Sequence, residues 1–167
     1  MIDLSIDRLK SVLSYDPETG IFIWIAKTSS RGNRIRIGNQ AGVIGPTGYI
    51  LIGIDKQRFG AHRLAVFYMT GAMPVNVVDH IDGCQSNNAY KNLRVITHRE
   101  NIENRNRPNK NGSTGFLGTH FCKQTGRFVA SITVNRRRIN LGRFDTTEQA
   151  HEIYLDAKRH FHKGNTL

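Results

Sequence analysis

The spacing of apolar side chains predicts short helices and strands near the start of the chain. Over residues 3–14, apolar positions recur at helical intervals, which predicts a short N-terminal helix. Two β-prone runs, at 21–25 and 49–54, are bounded by turn-forming residues and predict a small antiparallel sheet that extends to about Gly60. Residues 1–60 are therefore expected to form a β-rich region.

A helix and then a strand, loop, strand and helix are predicted in the middle of the chain. Residues 61–70 have helical spacing, and a glycine and a proline follow them closely. Strands are predicted at 75–78 and 93–96, on either side of a polar loop, and a helix at 98–106. The loop and the residues beside it carry the side chains that are the best candidates for catalysis or metal binding.

The last third of the chain is predicted to be a separate two-layer domain. Residues 108–113 are polar and are interpreted as a linker. Three strands are predicted at 115–121, 127–134 and 138–144, and a helix from about Thr146 to His162. The apolar positions of that helix share one face: Ala150, Ile153, Tyr154, Ala157 and Phe161. The fold class that follows is α+β, with domains at 1–60, 61–107 and 114–164.

Charge adds a class of partner to this outline. The 167 residues include 24 Lys and Arg against 13 Asp and Glu, a net charge of +11. Residues 1–97 contribute +4 and residues 113–167 contribute +5, so the shorter C-terminal segment is the more densely basic. A basic surface of this size attracts phosphate backbones. Charge alone leaves ribosomal and membrane-surface binding open.

Cysteine content and hydropathy favour a reducing compartment. The two cysteines, Cys84 and Cys122, form no Cys-x-x-Cys pair and are too few for a disulfide framework. No apolar run approaches the length of a membrane span, and the first ten residues contain two aspartates but no signal-peptide core. A cytoplasmic protein is expected.

The loop between the two middle strands brings together residue types that hydrolyse phosphodiesters. Such hydrolysis needs a base for water, a cation on the phosphate and a fixed geometry. His80 supplies an imidazole and Asp79 a carboxylate, while Asn101 has an amide oxygen suited to Mg²⁺ or Mn²⁺. Asn92 follows the loop and can hold it through backbone hydrogen bonds. Each residue alone has an ordinary alternative as a surface pair or a turn residue, and His62-Arg63 are interpreted as packing plus a surface charge.

Over about residues 60–107 the chain resembles phage-type HNH endonucleases, which have the ββα-metal fold. The resemblance rests on D-H-I-[ND]-G, then N-x-x-x-N-L-R, then a helix carrying E-N. The intervals of twelve residues from His80 to Asn92 and nine more to Asn101 are similar to those of the His-Asn-Asn subgroup of homing-type nucleases.

The HNH resemblance implies a role for each of the four residues. It implies that His80 is the general base, that Asp79 and Asn101 hold one divalent ion, and that Asn92 braces the loop so that the His ring is oriented. It also implies products with 5′-phosphate and 3′-hydroxyl ends. The paired CxxC motifs of some relatives are lacking, so no structural zinc is expected.

Residues 112–164 resemble the AP2 domain of plant transcription factors and phage HNH nucleases. The resemblance rests on G-x-x-G-T, R-F-V-A-S-I and L-G-x-F-D-T-x-E-x-A, with Phe128 at the place of the usual Trp. It implies a three-stranded sheet in the DNA major groove, since arginine forks bind phosphates and guanine edges. The candidate DNA-binding residues are basic side chains: His120, Lys123, Arg127, Arg136, Arg138 and Arg143.

The two resemblances together predict a phage-encoded or homing endonuclease that acts on double-stranded DNA as a monomer or weak dimer. Two other classes stay open. One is a non-catalytic, sequence-specific DNA-binding regulator, and the other is a basic RNA-binding protein, although the narrow major groove of A-form RNA does not admit a sheet. Residues 1–60 have no assigned role, and a DNA-contacting arm through Arg31, Arg34 and Arg36 is one option.

Overall fold

Short strands and helices alternate along the chain. The computed structural model describes residues 4–28, 35–104, 108 and 113–162. In chain order the elements are α1 (Ile6–Val12), β1 (Leu13–Tyr15), β2 (Phe22–Trp24), β3 (Val43–Ile44), β4 (Ile50–Ile54), β5 (Gln57–Gly60), α2 (Ala61–Thr70), β6 (Val77–His80), β7 (Leu93–Ile96), α3 (His98–Glu103), β8 (Thr119–Cys122), β9 (Arg127–Val134), β10 (Arg137–Phe144) and α4 (Thr147–Phe161). The predicted α+β class is confirmed. Arg31, Arg34 and most of the predicted linker lie outside the described residues.

Contacts between Cα atoms divide the chain into two compact units, Met1–Thr97 and His98–Leu167. The predicted β-rich region and the two middle strands share the first unit. Its apolar core explains this grouping, because side chains on both sides of the predicted boundary at residue 60 pack into one cluster that includes Leu9, Phe22, Ile52 and Leu64. The boundaries proposed from the sequence, at 60/61 and 107/108, stay predictions.

Helix α1 is shorter than the sequence predicts. Ser5 caps its start by accepting a hydrogen bond from the Arg8 amide at 3.1 Å. The helix ends at Val12 because the next residues are extended and pair with β2, Leu13 opposite Trp24. The predicted end of the helix is thus a short strand, and α1 buries Leu9 and Val12 in the core.

The hairpin of β6 and β7 determines where the candidate chemistry lies. The first strand was predicted at 75–78 but is found at Val77–His80, where Val77 pairs with Ile96 and His80 with Leu93. Val75 is 97% exposed and takes no part in the ladder. The shift of two residues places Asp79 and His80 inside the strand, so the pleat of the strand sets the directions of their side chains.

The second unit contains a three-stranded antiparallel sheet in the order β10-β9-β8, with α4 packed on one face. Ala150 and Tyr154 are buried, as the helical pattern predicts, but Ile153 and Phe161 are 40% and 42% exposed. Lys158, four residues after Tyr154, is buried instead. The buried face of α4 therefore contains every fourth residue, and the apolar part of the lysine side chain belongs to it.

Within the part of the chain that the structure describes, no helix is both long enough and apolar enough to cross a membrane.

Candidate active site and nucleic-acid interface

Asp79 and His80 point to opposite sides of β6. Along the strand, Val78 and His80 are buried and Asp79 is half-buried, which is the alternation that a pleated strand imposes. The histidine therefore faces the interior of the first unit, and the carboxylate faces the other side of the hairpin. The two adjacent side chains can therefore have different chemical roles.

The Asp79 carboxylate lies beside an arginine from the neighbouring strand. Arg94 is directly opposite Asp79 in the ladder, and its Nε and Nη2 donate to Asp79 Oδ2 at 3.0 and 2.9 Å. Both side chains are largely buried, so water screens this pair less than a surface pair. The arginine holds the carboxylate in one orientation on the hairpin.

A hydrogen bond to Asn88 fixes the His80 ring. Nε2 of His80 lies 3.2 Å from Oδ1 of Asn88, and both side chains are buried. The amide group of Asn88 is oriented by its other end, since Nδ2 donates to the Ser86 carbonyl at 3.2 Å. Because Oδ1 can only accept, Nε2 is the donor of this hydrogen bond, and Nδ1 is the ring nitrogen that Asn88 leaves available.

Two more rings surround His80. Its ring centroid lies 5.4 Å from that of His62, the second residue of α2, and 5.8 Å from that of Tyr49. Nδ1 of His62 is buried without a hydrogen-bond partner. Burial, the nearby His80 and then Arg63 lower the pKa of His62 to about 4, so this ring is neutral at physiological pH. The packing role expected for His62 is thus packing against the candidate base.

Asn92 and Asp82 close the loop between β6 and β7. The Asn92 side chain accepts from the Asp82 amide at 3.1 Å and donates to the Asn87 carbonyl at 2.8 Å and to Asp82 Oδ1 at 2.9 Å. Desolvation opposes the ionisation of Asp82, but hydrogen bonds from the loop's own amides outweigh it and lower the pKa. Asn92 therefore makes the loop contacts that its position suggests, while the contact to the His80 ring comes from Asn88.

Asn101, the second expected ion ligand, is half-buried on α3. That helix groups with the second compact unit, whereas Asp79 belongs to the first. Among residues 4–28, 35–104, 108 and 113–162, no cluster of three or more His, Cys, Asp or Glu side chains is arranged to hold a metal ion. The pairing of Asp79 with Asn101 on one ion is therefore a prediction from the resemblance. The donors themselves, one carboxylate and one amide oxygen, are hard ligands that fit Mg²⁺ or Mn²⁺.

The strand register sorts the candidate DNA-binding residues by face. The face of β9 that packs on α4 carries Ala130 and Ile132, so residues at the alternate positions of the sheet lie on the open face. A shallow cavity on that face is lined by side chains of all three strands: His120, Cys122, Val129, Ser131, Arg138, Asn140 and Arg143. Four of the six candidates thus lie on the open face, Arg127 being there by register.

The other two candidates, Lys123 and Arg136, lie in turns between strands. Arg136 has a φ of +63° beside Asn135, whose φ is +52°. On the open face, Arg138 is held by Ser131, to which its Nε donates at 3.0 Å, and lies near His120 at 3.4 Å. Arg138 is therefore the candidate with the most defined orientation.

Comparisons with known proteins bear on the middle of the chain. Residues 59–102 match the sequence model of a family described as HNH endonuclease. The HNH resemblance is confirmed for this segment. The curated protein "DNA endonuclease I-HmuI" of Bacillus phage SP01 is 42% identical over 62 residues, which cover 34% of this chain. The match spans 36% of that relative, about a third of its length.

A solved structure is also similar to this chain. It is titled "DNA binding and cleavage by the HNH homing endonuclease I-HmuI". The similarity covers 96% of this chain and 92% of that one, with 24% identity and a TM-score of 0.47.

Two residues beside the candidate base, Asn88 and Tyr49, were not predicted from the sequence as site residues. Asn88 is the first Asn of the N-x-x-x-N-L-R motif, and that position was the available signal. Tyr49 had no signal, because its proximity to His80 depends on how the sheet of β3, β4 and β5 packs against the hairpin. His62 was interpreted as a packing residue with no partner named.

Proposed function

We propose that the chain is a metal-dependent DNA endonuclease of the HNH type, directed to DNA by its C-terminal sheet. One observation supports this most strongly. Within the segment that matches the HNH family, His80 is buried and its Nε2 forms a hydrogen bond with Asn88. Because Nε2 is occupied by this bond, Nδ1 is the nitrogen that can act as the base. A histidine whose basic nitrogen is held in one orientation is what activation of water requires.

The roles follow from the chemistry of each side chain. His80 takes a proton from water at Nδ1, while Asn88 keeps the opposite nitrogen protonated. Asp79, oriented by Arg94, and Asn101 are the residues that would hold one divalent ion, Mg²⁺ or Mn²⁺, and such an ion would supply positive charge to stabilise the reacting phosphate. Asn92 keeps the loop closed. The products, as in the HNH family, have 5′-phosphate and 3′-hydroxyl ends.

Plasmid nicking tests the activity and its need for metal. We expect the protein to convert supercoiled plasmid to open-circle or linear DNA with Mg²⁺ or Mn²⁺ and to stop when EDTA removes the ion, because the proposed mechanism depends on the charge that a divalent cation supplies. The measurement is gel quantification of the three plasmid forms over time. Equal cleavage in excess EDTA would exclude the metal-dependent mechanism.

A DNA-binding regulator is the alternative from a different class. It shares the basic C-terminal sheet but needs no nuclease chemistry. The same assay separates the two, since a regulator binds the plasmid and leaves it supercoiled in every metal. The match of residues 59–102 to the HNH family, with Asp79, His80 and Asn101 all present, favours the nuclease.

The open face of the C-terminal sheet is proposed as the DNA-binding surface, in the manner of AP2 domains. His120, Arg127, Arg138 and Arg143 share that face, and the helix covers the other. Basic side chains on one flat face match the charge of a DNA backbone. The ion pair of Arg127 with Asp145, at 3.3 Å between exposed groups, is weak enough for a phosphate to replace the carboxylate.

Adjacent arginines of β10 provide a matched test of this surface. Arg138 lies on the open face of the sheet. Arg137 is paired with Val134 and lies on the opposite face, which packs against α4. We expect Arg138→Ala to weaken DNA binding by about 1–3 kcal/mol, because a fixed guanidinium loses its contact. Arg137→Ala is expected to have a smaller effect. Fluorescence anisotropy with a labelled duplex at several salt concentrations measures both, and equal losses would place the interface elsewhere.

A further inference from the structure

Hydrogen bonds connect the N-terminal part of the first unit to the candidate base. The Tyr15 hydroxyl donates to the Asn88 carbonyl at 2.7 Å, and this contact is buried. The side chain of the same Asn88 then accepts from His80 Nε2 at 3.2 Å. Residues that are far apart in sequence, Tyr15 and His80, are thus connected through one asparagine. Burial raises the pKa of Tyr15, so its hydroxyl keeps its proton for this bond.

The backbone around Asn88 is held by the same part of the chain. The Tyr90 amide donates to the Pro17 carbonyl at 2.8 Å. Gly20 approaches the Asn88–Ala89 peptide so closely that a Cβ at Gly20 would lie 2.2 Å from the Ala89 nitrogen. The turn between β1 and β2 therefore packs against the loop and supports its backbone.

The Tyr15 ring is fixed in turn by aromatic packing. It stacks on Phe22 with 4.5 Å between ring centroids and lies 5.7 Å from the Tyr68 ring. All three rings belong to or pack against the core of the first unit. A rigid ring places the hydroxyl, and the hydroxyl places the Asn88 backbone from which the amide side chain extends to His80.

We propose that Tyr15 and Asn88 are positioning residues that hold His80 in the Nε2–H tautomer, and that residues 13–24 support the catalytic loop. The inference rests on the proposed function of His80 as the base. It gives the N-terminal region a role other than the DNA-contacting arm considered from sequence. Neither residue needs to touch DNA or the ion, because each acts through His80.

The tautomer of His80 is the first measurement. Long-range ¹H–¹⁵N correlation spectra of metal-free, histidine-labelled protein at alkaline pH distinguish a protonated ring nitrogen from an unprotonated one. The His80 signals are assigned by their loss in His80→Ala. We expect the Nε2–H form in the wild type and a mixture of both forms in Asn88→Ala. A wild-type Nδ1–H form, or an unchanged spectrum in Asn88→Ala, would overturn the proposal.

Single-turnover nicking at saturating protein is the second measurement. We expect Asn88→Ala to be about 100-fold slower, as a misplaced catalytic group can be, with DNA affinity unchanged. Asn88→Asp retains an oxygen opposite Nε2 and is expected to recover much of the rate and the Nε2–H form. Equally slow Asp and Ala variants would indicate a merely structural residue and contradict the proposal.

Tyr15→Phe is a milder variant that tests the same chain of hydrogen bonds even if Asn88→Ala fails to fold. It removes one oxygen and is expected to slow nicking about tenfold, since one buried carbonyl loses its donor. Tyr68→Phe makes the same chemical change in the same ring cluster and is expected to nick at the wild-type rate. Equal rates for the two variants would remove Tyr15 from the proposal.

The two proposals fail in different ways. A wild-type protein with His80 in the Nε2–H form but no nicking in any metal would refute the nuclease and leave the hydrogen-bond chain intact. A protein that nicks plasmid with His80 in the Nδ1–H form would refute the positioning role alone.

Discussion

His80→Ala is expected to reduce DNA cleavage by about 100- to 10,000-fold, the range that a positioned general base contributes. The substitution removes the imidazole that Asn88 orients, and it leaves the basic sheet of the second unit unchanged. DNA affinity is therefore expected to stay near the wild-type value. Plasmid nicking in Mg²⁺ and anisotropy with a labelled duplex measure the two properties separately.

His160→Ala is the matched control for His80→Ala. His160 is an exposed histidine near the end of α4, outside the proposed site and outside the open face of the sheet. We expect this variant to cleave and bind like the wild type. Thermal unfolding shows whether either variant is folded, and undiminished cleavage by folded His80→Ala would refute the assignment of the base.

Gly20→Ala is expected to lower the free energy of unfolding of the first unit by roughly 3–5 kcal/mol. The backbone at Gly20 has a φ of +74°, which an L side chain rarely adopts. The added Cβ would also lie 2.2 Å from backbone atoms of Asn88 and Ala89, which have no side-chain freedom to move away. Backbone strain at Gly20 and steric overlap with the loop therefore both destabilise this variant.

Gly71→Ala separates these two causes. Gly71 has the same φ of +74° at the end of α2, but nothing lies within 4 Å of its added Cβ. Its expected cost is the conformational part alone, about 1–2 kcal/mol. Trp24, the one tryptophan of the chain, is buried in the first unit, so urea unfolding followed by its fluorescence reports on the unit concerned. Equal costs at the two glycines would show that the loop moves aside freely.

Local patterns predicted which elements exist better than where they begin and end. Helix α2 follows the predicted 61–70 because a full helical period and a following glycine mark it. β6 was misplaced by two residues, since Val75 and Val78 are equally β-prone and only the pairing with β7 decides which residues join the ladder. The buried Lys158 had no signal, because its burial depends on packing against the sheet.

The candidate site was predictable as a motif but not as a set of contacts. The spacing of His80 and Asn92 identified the loop, and the structure gives Asn92 its bonds to Asp82 and Asn87. The contact of His80 with Asn88 was hidden among several asparagines of similar appearance. The support from Tyr15 was beyond any local pattern, since the two partners are separated by 73 residues and meet only through the core.

The loop between β6 and β7 depends on the amide group of Asn92 for its closure. Asn92 donates through Nδ2 to the Asp82 carboxylate and to the Asn87 carbonyl. Asparagine is among the thermolabile residues, and deamidation at this position would replace the donor with an oxygen. Two carboxylates and a carbonyl would then face one another where an amide had joined them, so slow hydrolysis of one side chain would open the loop from within. That change would act on the loop of the candidate site and not on the apolar core of the first unit.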